Sequence, residues 1–278
     1  MIQVISLGKF MNNFSEIFAG RKGFVAFISY GYPSIEASEK LLEVMAQNGV
    51  DLIEIGIPFS DPTAEGAVIA KANEIALKNG INTDKIFESL RRVRERVSAN
   101  LSFMTYANVV FSYGKERFIT QMRELKMSAL ILPDVPFEEE GEFEGECVKN
   151  GVDLISFIAP TSADSADRMA QIVREASGFI YCVSSLGVTG MRENVGVGVR
   201  EMVAQIKQIR ADIPVAVGFG ISNAQKAREI AEFADAIIIG SAIVKLCENE
   251  KDCVEKVARF TREVRNALDS QSKSLTNP

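Results

Sequence analysis

The segment "DLIEIGIPFSDPTAEG", residues 51–66, joins a short apolar run to an acidic loop that contains two prolines. The run is apolar at almost every position, which is typical of a strand buried on both faces of a parallel sheet. It nevertheless carries a glutamate, Glu54, and an ionised carboxylate that is buried without a partner is costly. The segment therefore predicts a buried parallel strand whose glutamate has either an ion-pair partner or a chemical role, followed by a loop that could close over a ligand.

Seven further runs rich in Val, Ile and Phe repeat this strand pattern along the chain. They span residues 24–30, 101–106, 129–135, 154–159, 179–184, 215–220 and 236–240. Amphipathic helical segments accompany them at residues 34–49, 83–97, 114–127, 139–151, 165–177, 199–210, 223–233 and 253–268. Strands that alternate with helices, without a linker rich in Pro or Ser, predict an α/β fold, a single (β/α)8 TIM barrel. A doubly wound open sheet is the alternative.

The 278 residues are predicted to form one domain, 1–278, with a barrel core over 10–268. α/β barrels of about 250 residues form a single unit, so the length does not require a second domain. Residues 10–19, "FMNNFSEIFA", predict an extra N-terminal helix that closes the bottom of the barrel. Residues 269–278 are a polar tail that we expect to be frayed.

The charge and composition exclude several classes of protein. The formal net charge is −6 and no basic stripe is visible, so nucleic acid is not an expected partner. No run approaches the roughly 20 apolar residues that a membrane span requires. The four cysteines form no CxxC pair, which favours reduced thiols and a cytoplasmic protein.

The chain contains no histidine. Imidazole-based metal sites and Ser-His or Cys-His nucleophile pairs are therefore excluded. Histidine is also the side chain most often used for proton transfer near neutral pH. If the protein is an acid–base enzyme, carboxylates, tyrosines or lysines must move the protons.

Three consecutive loops at the end of the chain carry glycines suited to phosphate. In a β/α barrel, active sites lie at the C-terminal ends of the strands, and the last loops often bind phosphate. The seventh strand is followed by Gly220, and the eighth by Gly240 and Ser241, which begin a helical segment whose free N–H groups favour an anion. The sixth loop adds Thr189 and Gly190. The glycines could instead serve only to make tight turns.

Two carboxylates and two tyrosines complete the candidate site. A raised pKa would suit Glu54, near the end of the second strand, to proton transfer, and a structural ion pair is the alternative. Glu65 precedes a glycine on the following loop and could equally be a solvated charge. Tyr106 lies at the end of one apolar strand and Tyr181 lies inside another. Either core packing or ligand contact is possible for both.

Several segments together resemble the tryptophan synthase alpha subunit family, in the order and spacing of that family's motifs. They are "IEIGIPFSDPTAEG" (53–66), "FISYGYPS" (27–34), "TYANVVFSYG" (105–114), "LPDVPFEEE" (132–140), "IAPTSAD" (158–164), "FIYCVSSLGVTGMR" (179–192), "GFGIS" (218–222) and "IIGSAIVK" (238–245). The likeness covers nearly the whole chain. It implies a carbon–carbon lyase that cleaves indole-3-glycerol phosphate to indole and glyceraldehyde 3-phosphate in tryptophan biosynthesis, without a metal or a cofactor of its own.

The resemblance also implies roles for individual residues. The catalytic glutamate falls on Glu54, the second catalytic carboxylate on Glu65, and the tyrosine beside the glutamate on Tyr181. The matching substrate-binding positions are Phe27, Met104, Tyr106, Ile131, Ile158, Thr189 and Phe219, and those for phosphate are Gly190, Gly220, Gly240 and Ser241. The family works as an α₂β₂ heterotetramer, and only the beta partner carries pyridoxal phosphate. Loops 58–66 and 106–114 would face that partner.

Four positions depart from the family pattern. Glu65 replaces an aspartate, Ala67 a common proline, Ala70 a usual glutamine, and Ser185 an arginine of some members. These changes leave open a catalytically impaired alpha-like subunit that mainly activates a beta partner. A third possibility is another sugar-phosphate barrel enzyme, such as an isomerase.

Overall fold

The computed structural model describes residues 14–18, 20–160, 165–183, 195–218 and 220–275, with the backbone alone for 195–197 and 271–275. Its nine strands are β1 (Gly23–Ser29), β2 (Leu52–Gly56), β3 (Asn100–Met104), β4 (Ala129–Ile131), β5 (Asp153–Leu154), β6 (Ser156–Ile158), β7 (Ile180–Val183), β8 (Val215–Gly218) and β9 (Ala236–Ile239). All eight strand pairings are parallel, in the order β5-β4-β3-β2-β1-β9-β8-β7-β6.

The two end strands of this order, β5 and β6, are consecutive in the chain. Only Ile155 separates them, and its N–H still donates to the carbonyl of Leu130 on β4 at 3.0 Å. The sheet is therefore a nearly closed barrel, as predicted, and the predicted fifth strand is divided into two short pieces.

Twelve α-helices surround this sheet in the described residues. They are α1 (Phe14–Ile17), α2 (Ile35–Gln47), α3 (Ala67–Lys78), α4 (Thr83–Val93), α5 (Ala107–Tyr113), α6 (Lys115–Glu124), α7 (Gly141–Asn150), α8 (Ala166–Glu175), α9 (Val195–Ile209), α10 (Ala224–Ala231), α11 (Ser241–Leu246) and α12 (Glu250–Leu275). Two 3₁₀ turns lie at Arg94–Arg96 and Phe137–Glu139. Local chemistry fixes the ends: Ser34 caps α2 by accepting from the N–H of Ala37, and Gly151 ends α7 with φ +68°. In the described part of the chain, no helix has the length and apolar character needed to span a bilayer.

The helices differ from the sequence prediction in four places. The predicted N-terminal helix is the short α1, whose Phe14 packs edge-on against Phe179 at a ring distance of 5.1 Å and closes the bottom of the barrel. Helices α3 and α5 were not predicted. Helix α12 starts before residue 253 and continues to Leu275, so the backbone of the predicted tail is helical up to that residue.

Side chains alternate between the barrel lumen and the layer under the helices. On β2, Ile53 and Ile55 pack in the helix-facing cluster, whereas Leu52 belongs to the interior cluster with Ile131 and Tyr181. Because residues two apart on a strand share a face, Glu54 points into the lumen with Leu52. The alternation therefore places the glutamate inside the barrel.

A buried ion pair ties the last helix to the bottom of the sheet. Asp51, just before β2, accepts hydrogen bonds from the N–H of Phe24 at 2.8 Å and from Arg265 of α12 at 3.2 Å, and pairs with Arg21. Burial raises the pKa of Asp51, while the Phe24 N–H and the two guanidinium groups oppose that shift. Asp51 thus links β1, β2 and α12 at the end of the barrel opposite the candidate site.

Candidate active site

Glu54 is the most unusual group in the lumen. Its side chain is completely buried, and neither carboxylate oxygen has a hydrogen-bond partner in the described part of the chain. Burial raises its pKa to about 8. The ion-pair explanation for Glu54 is therefore wrong, and at neutral pH the group is mainly a protonated acid that can give up its proton.

Tyr181 faces Glu54 from the other side of the lumen. It is almost fully buried on β7, and burial together with the charge of Glu54 raises its pKa well above the usual value. Its ring packs against Phe157 at a centroid distance of 4.8 Å. The hydroxyl is consequently a neutral group beside the carboxyl group of Glu54.

The strands on either side of β2 complete the surroundings of Glu54. Phe27 on β1 and Ser102 on β3 are its direct register partners. The Phe27 ring covers Gly56, where a Cβ atom would lie 2.5 Å from the ring, and its own Cβ is 3.5 Å from the Cβ position of Gly240. One aromatic side chain therefore lies between Gly56, at the end of β2, and Gly240, at the start of α11.

The second carboxylate, Glu65, is held over the barrel mouth by its neighbours. Asn73 of α3 donates to the Glu65 carboxylate at 2.9 Å, and the Tyr106 hydroxyl contacts it as well. Tyr106 also accepts from the N–H of Ala64 at 3.1 Å and stacks on Phe59 at 4.9 Å. Burial raises the pKa of Glu65 to about 7, while its hydrogen bonds to Tyr106 and Asn73 lower it. The description of Glu65 as a freely solvated charge is therefore wrong.

Sequence reasoning missed two residues that support this loop. Asn73 is 2% exposed and accepts a hydrogen bond from the hydroxyl of Ser29 at 2.5 Å, at the end of β1. The signal for Asn73 is a polar residue among the buried Ala72 and Ala76 of α3. Ser29 gives no such signal, because the strand pattern tolerates a terminal serine.

The apolar positions are not all brought together. Met104 and Ile131 are register partners on β3 and β4 and both contact the interior cluster. Ile158, in contrast, packs under the helices with Ile172, and its neighbour Phe157 faces the lumen instead. The structure therefore does not place Ile158 with the lumenal set. Phe219, Thr189 and Gly190 lie outside the described residues.

The described phosphate candidates lie at the ends of β8 and β9. Helix α11 begins at Ser241 with Gly240 as its N-cap and without a capping side chain, so its first N–H groups are open to a ligand. Gly220 has φ +43°, and both Gly220 and Ser241 are exposed. These two strand ends can therefore present backbone N–H groups to an anion. No group of three or more Cys, Asp and Glu side chains capable of holding a metal ion occurs within the described ranges.

Comparison with known proteins agrees with this fold. A model of the family "Tryptophan synthase alpha chain" matches residues 14–272. The chain is 38% identical to the tryptophan synthase alpha chain of Petrotoga mobilis, over 92% of this chain and 99% of the relative, and 44% identical to that of Methanocaldococcus jannaschii, over 84% and 82%. Among solved structures, the tryptophan synthase subunit alpha of Campylobacter jejuni superposes with a TM-score of 0.81 at 33% identity, covering 91% of this chain and 99% of that one. Tryptophan synthase of Mycobacterium tuberculosis superposes with a TM-score of 0.84 at 29% identity, covering 93% and 98%.

Proposed function

This chain belongs to the tryptophan synthase alpha chain family, and we propose that Glu54 performs the proton transfers of its reaction. The chain is a carbon–carbon lyase of tryptophan biosynthesis that cleaves indole-3-glycerol phosphate to indole and glyceraldehyde 3-phosphate. The observation that carries the proposal is the position of Glu54, a protonated acid without a partner in the lumen beside Tyr181. Nothing in the described residues favours the impaired, partner-activating alternative.

The bond between indole C3 and the glycerol chain breaks only after C3 becomes sp³. The Glu54 carboxyl group donates its proton to C3, and the ring nitrogen gains positive charge. The resulting carboxylate then takes the proton of the neighbouring glycerol hydroxyl, the carbon–carbon bond breaks, and its electron pair returns to the ring as the aldehyde forms. A pKa of about 8 suits one group to both steps, because near neutral pH such a group can readily both lose and regain its proton.

Glu65 stabilises the positive ring nitrogen in this proposal. Its carboxylate is half-buried at the barrel mouth, where an electrostatic interaction is stronger than in bulk water. Phe27, Met104 and Ile131 would contact the indole ring, Tyr106 would hold the loop, and Tyr181 would orient Glu54. Thr189 and Phe219 remain predictions from the family pattern, whereas Ile158 packs under the helices and has no place in this site.

The phosphate of the substrate would bind at the ends of the last strands. Gly220, Gly240 and Ser241 support this assignment because they expose backbone N–H groups there, and Gly190 is assigned by the family pattern alone. The glycerol chain of the substrate would then connect indole C3, near Glu54, to the phosphate, near Gly240. Phe27 lies between the end of β2 and Gly240.

Family membership implies a beta-subunit partner, and we propose an α₂β₂ heterotetramer in the cytoplasm. Pyridoxal phosphate would belong to the beta partner, and the alpha reaction would use side chains alone. Phe111 supports a partner surface at this end of the barrel, because it is 50% exposed on α5, the first helix after β3. The four free thiols agree with a reducing compartment.

The test is indole release from indole-3-glycerol phosphate by the purified chain, with and without a beta subunit. Glu54→Gln keeps the size of the side chain but cannot release a proton, so activity should fall by orders of magnitude. Glu140→Gln is the matched control, because Glu140 is half-buried with a pKa that burial raises to about 7, but it accepts a hydrogen bond from Ser156 on the helix-facing side. Near-normal turnover by Glu54→Gln would remove Glu54 from the mechanism, and an equal loss in Glu140→Gln would mean that the assay reports folding.

A further inference from the structure

Two buried polar side chains connect the end of β1 to the loop carboxylate Glu65. The Ser29 hydroxyl lies 2.5 Å from Asn73 Oδ1, and Asn73 Nδ2 lies 2.9 Å from Glu65 Oε2. Ser29 and Asn73 are each 2% exposed. We propose that Asn73, oriented by Ser29, is a positioning residue that holds the Glu65 carboxylate where it meets the indole N–H; this rests on the proposed role of Glu65.

The direction of the hydrogen bonds in this relay is determined by chemistry. An ionised carboxylate only accepts, so Asn73 must present its NH₂ group to Glu65. The amide oxygen of Asn73 then faces Ser29, whose hydroxyl must donate. The carboxylate thus selects the orientation of the amide, and the Ser29 hydroxyl supports that orientation by donating to the amide oxygen.

The relay places Glu65 against rigid elements. Ser29 ends β1, and Asn73 lies in the second turn of α3, whereas Glu65 itself lies on the loop. A glutamate has one more rotatable bond than the aspartate that is usual here, and each free rotamer reduces the time spent in the reactive geometry. Contacts from Asn73 on α3 and from Tyr106, the N-cap residue of α5, restrict the longer side chain.

The relay also adjusts the acidity of Glu65. Burial raises the pKa of Glu65 to about 7, and the hydrogen bond from Asn73 opposes that shift. Tyr106 is the titratable group in contact with Glu65. Strand β1 and helix α5 carry no charged side chain, and the shift has no contribution from the charged residues of α3, which are Lys71, Glu74 and Lys78. Loss of the Asn73 donor should therefore raise the pKa of Glu65 further.

The experiment compares Asn73→Leu, Ser29→Ala and the double variant in the full-length chain with its beta subunit. The matched control is Asn79→Leu, on the exposed end of the same helix, where the amide donates to the carbonyl of Pro33 at 3.1 Å. One readout is kcat/KM for indole-3-glycerol phosphate across pH. The other is the pKa of Glu65 itself, followed by NMR of carboxyl-labelled glutamate and assigned with Glu65→Gln.

For Asn73→Leu we expect a fall in kcat/KM of about 10- to 100-fold, the usual effect of losing a supporting hydrogen bond, and a higher pKa of Glu65. Ser29→Ala should change both in the same direction but less, and the double variant should be no worse than Asn73→Leu because the two residues act in series. Losses that simply add would overturn the relay. A lower melting temperature of Asn73→Leu with an unchanged pKa of Glu65 would also overturn the relay.

The two readouts separate this inference from the proposed function. If the wild-type chain releases no indole at any pH, the lyase proposal fails, and the NMR titration still decides whether Asn73 controls Glu65. If Asn73→Leu does not fold, Ser29→Ala tests the same relay, and an unchanged pKa of Glu65 in that variant contradicts it.

Discussion

The ring of Tyr181 occupies the space that a Cβ atom on Gly218 would need. The two residues lie on the adjacent strands β7 and β8, and such a Cβ would be 2.8 Å from the Tyr181 ring edge and 3.1 Å from its hydroxyl oxygen. Tyr181 cannot simply turn aside, because Phe157 packs on it inside the buried cluster. The absence of a side chain at Gly218 therefore fixes where Tyr181 stands relative to Glu54.

Gly218→Ala should therefore displace Tyr181 and lower activity more than stability. Overpacking in a buried core costs about 1–3 kcal/mol, and the misplaced ring should reduce kcat/KM for indole-3-glycerol phosphate at least tenfold. Steady-state kinetics and urea unfolding measure the two effects. Gly198→Ala is the control, because a Cβ atom there meets nothing within 4 Å. Full activity in Gly218→Ala would show that Tyr181 has room to move.

The buried Glu54 should make stability depend on pH. Its pKa is about 8 in the folded protein and near 4.5 when exposed, so between these values the folded state holds a proton that the unfolded state has lost. The stabilisation is complete below pH 4.5 and is lost as the pH rises through 8. Glu54→Gln removes this contribution, at about 1.4 kcal/mol per pKa unit as an upper limit. Urea unfolding from pH 5 to 9 should give a smaller decline for the variant than for the wild type. Parallel curves would contradict the buried, partnerless state of Glu54.

Loss of Arg265 should destabilise the barrel without changing its chemistry. Removing one member of a buried ion pair costs about 3–5 kcal/mol, and we expect the lower end because Arg21 still contacts Asp51. Arg265→Ala should lower the urea midpoint accordingly and leave kcat unchanged where the protein is folded. Arg262→Ala, on the exposed side of the same helix, should cost less than about 0.5 kcal/mol. Equal midpoints for the two variants would exclude Arg265 as an anchor.

Phe111→Asp should weaken binding of the beta subunit while the fold and the lumen remain intact. The side chain is half-exposed at the end of the barrel that carries the site, and a charge there opposes an apolar contact. Val148→Asp is the control. Val148 is 37% exposed near the C-terminal end of α7, away from the end of the barrel that carries the site. Analytical ultracentrifugation of mixtures with the beta subunit measures the difference. Equal affinities for the two variants would move the partner surface away from α5.

Much of the barrel follows from hydrophobic pattern alone. Every predicted strand is present, because a parallel sheet covered by helices requires apolar residues on both faces. Because both faces are apolar, the sequence does not show which residues of a strand face the lumen. Phe157 and Ile158 are both buried apolar residues in one run, and only the register of β6 shows that Phe157 contacts Tyr181.

The site was predictable where a residue contradicted its surroundings and hidden where it agreed with them. Glu54 stands out as an acid in an apolar strand, so the sequence alone identifies it. Asn73 is a polar residue among apolar neighbours on α3, but its hydrogen bond with Ser29 joins residues 44 positions apart, which no local pattern reveals. Ser29 has ordinary polarity for the end of a strand. The break at Ile155 likewise depends on pairing with two different strands.

The pair of Asp51 and Arg265 has a consequence for synthesis of the chain in the cell. The two residues are 214 positions apart, so the ribosome must translate every residue from 51 to 265 before this ion pair can form. Until α12 emerges, Asp51 at the bottom of the barrel lacks Arg265, the second of its two cationic partners. Contacts of such long sequence separation form slowly, so we expect this ion pair to form late, once α12 has left the ribosome.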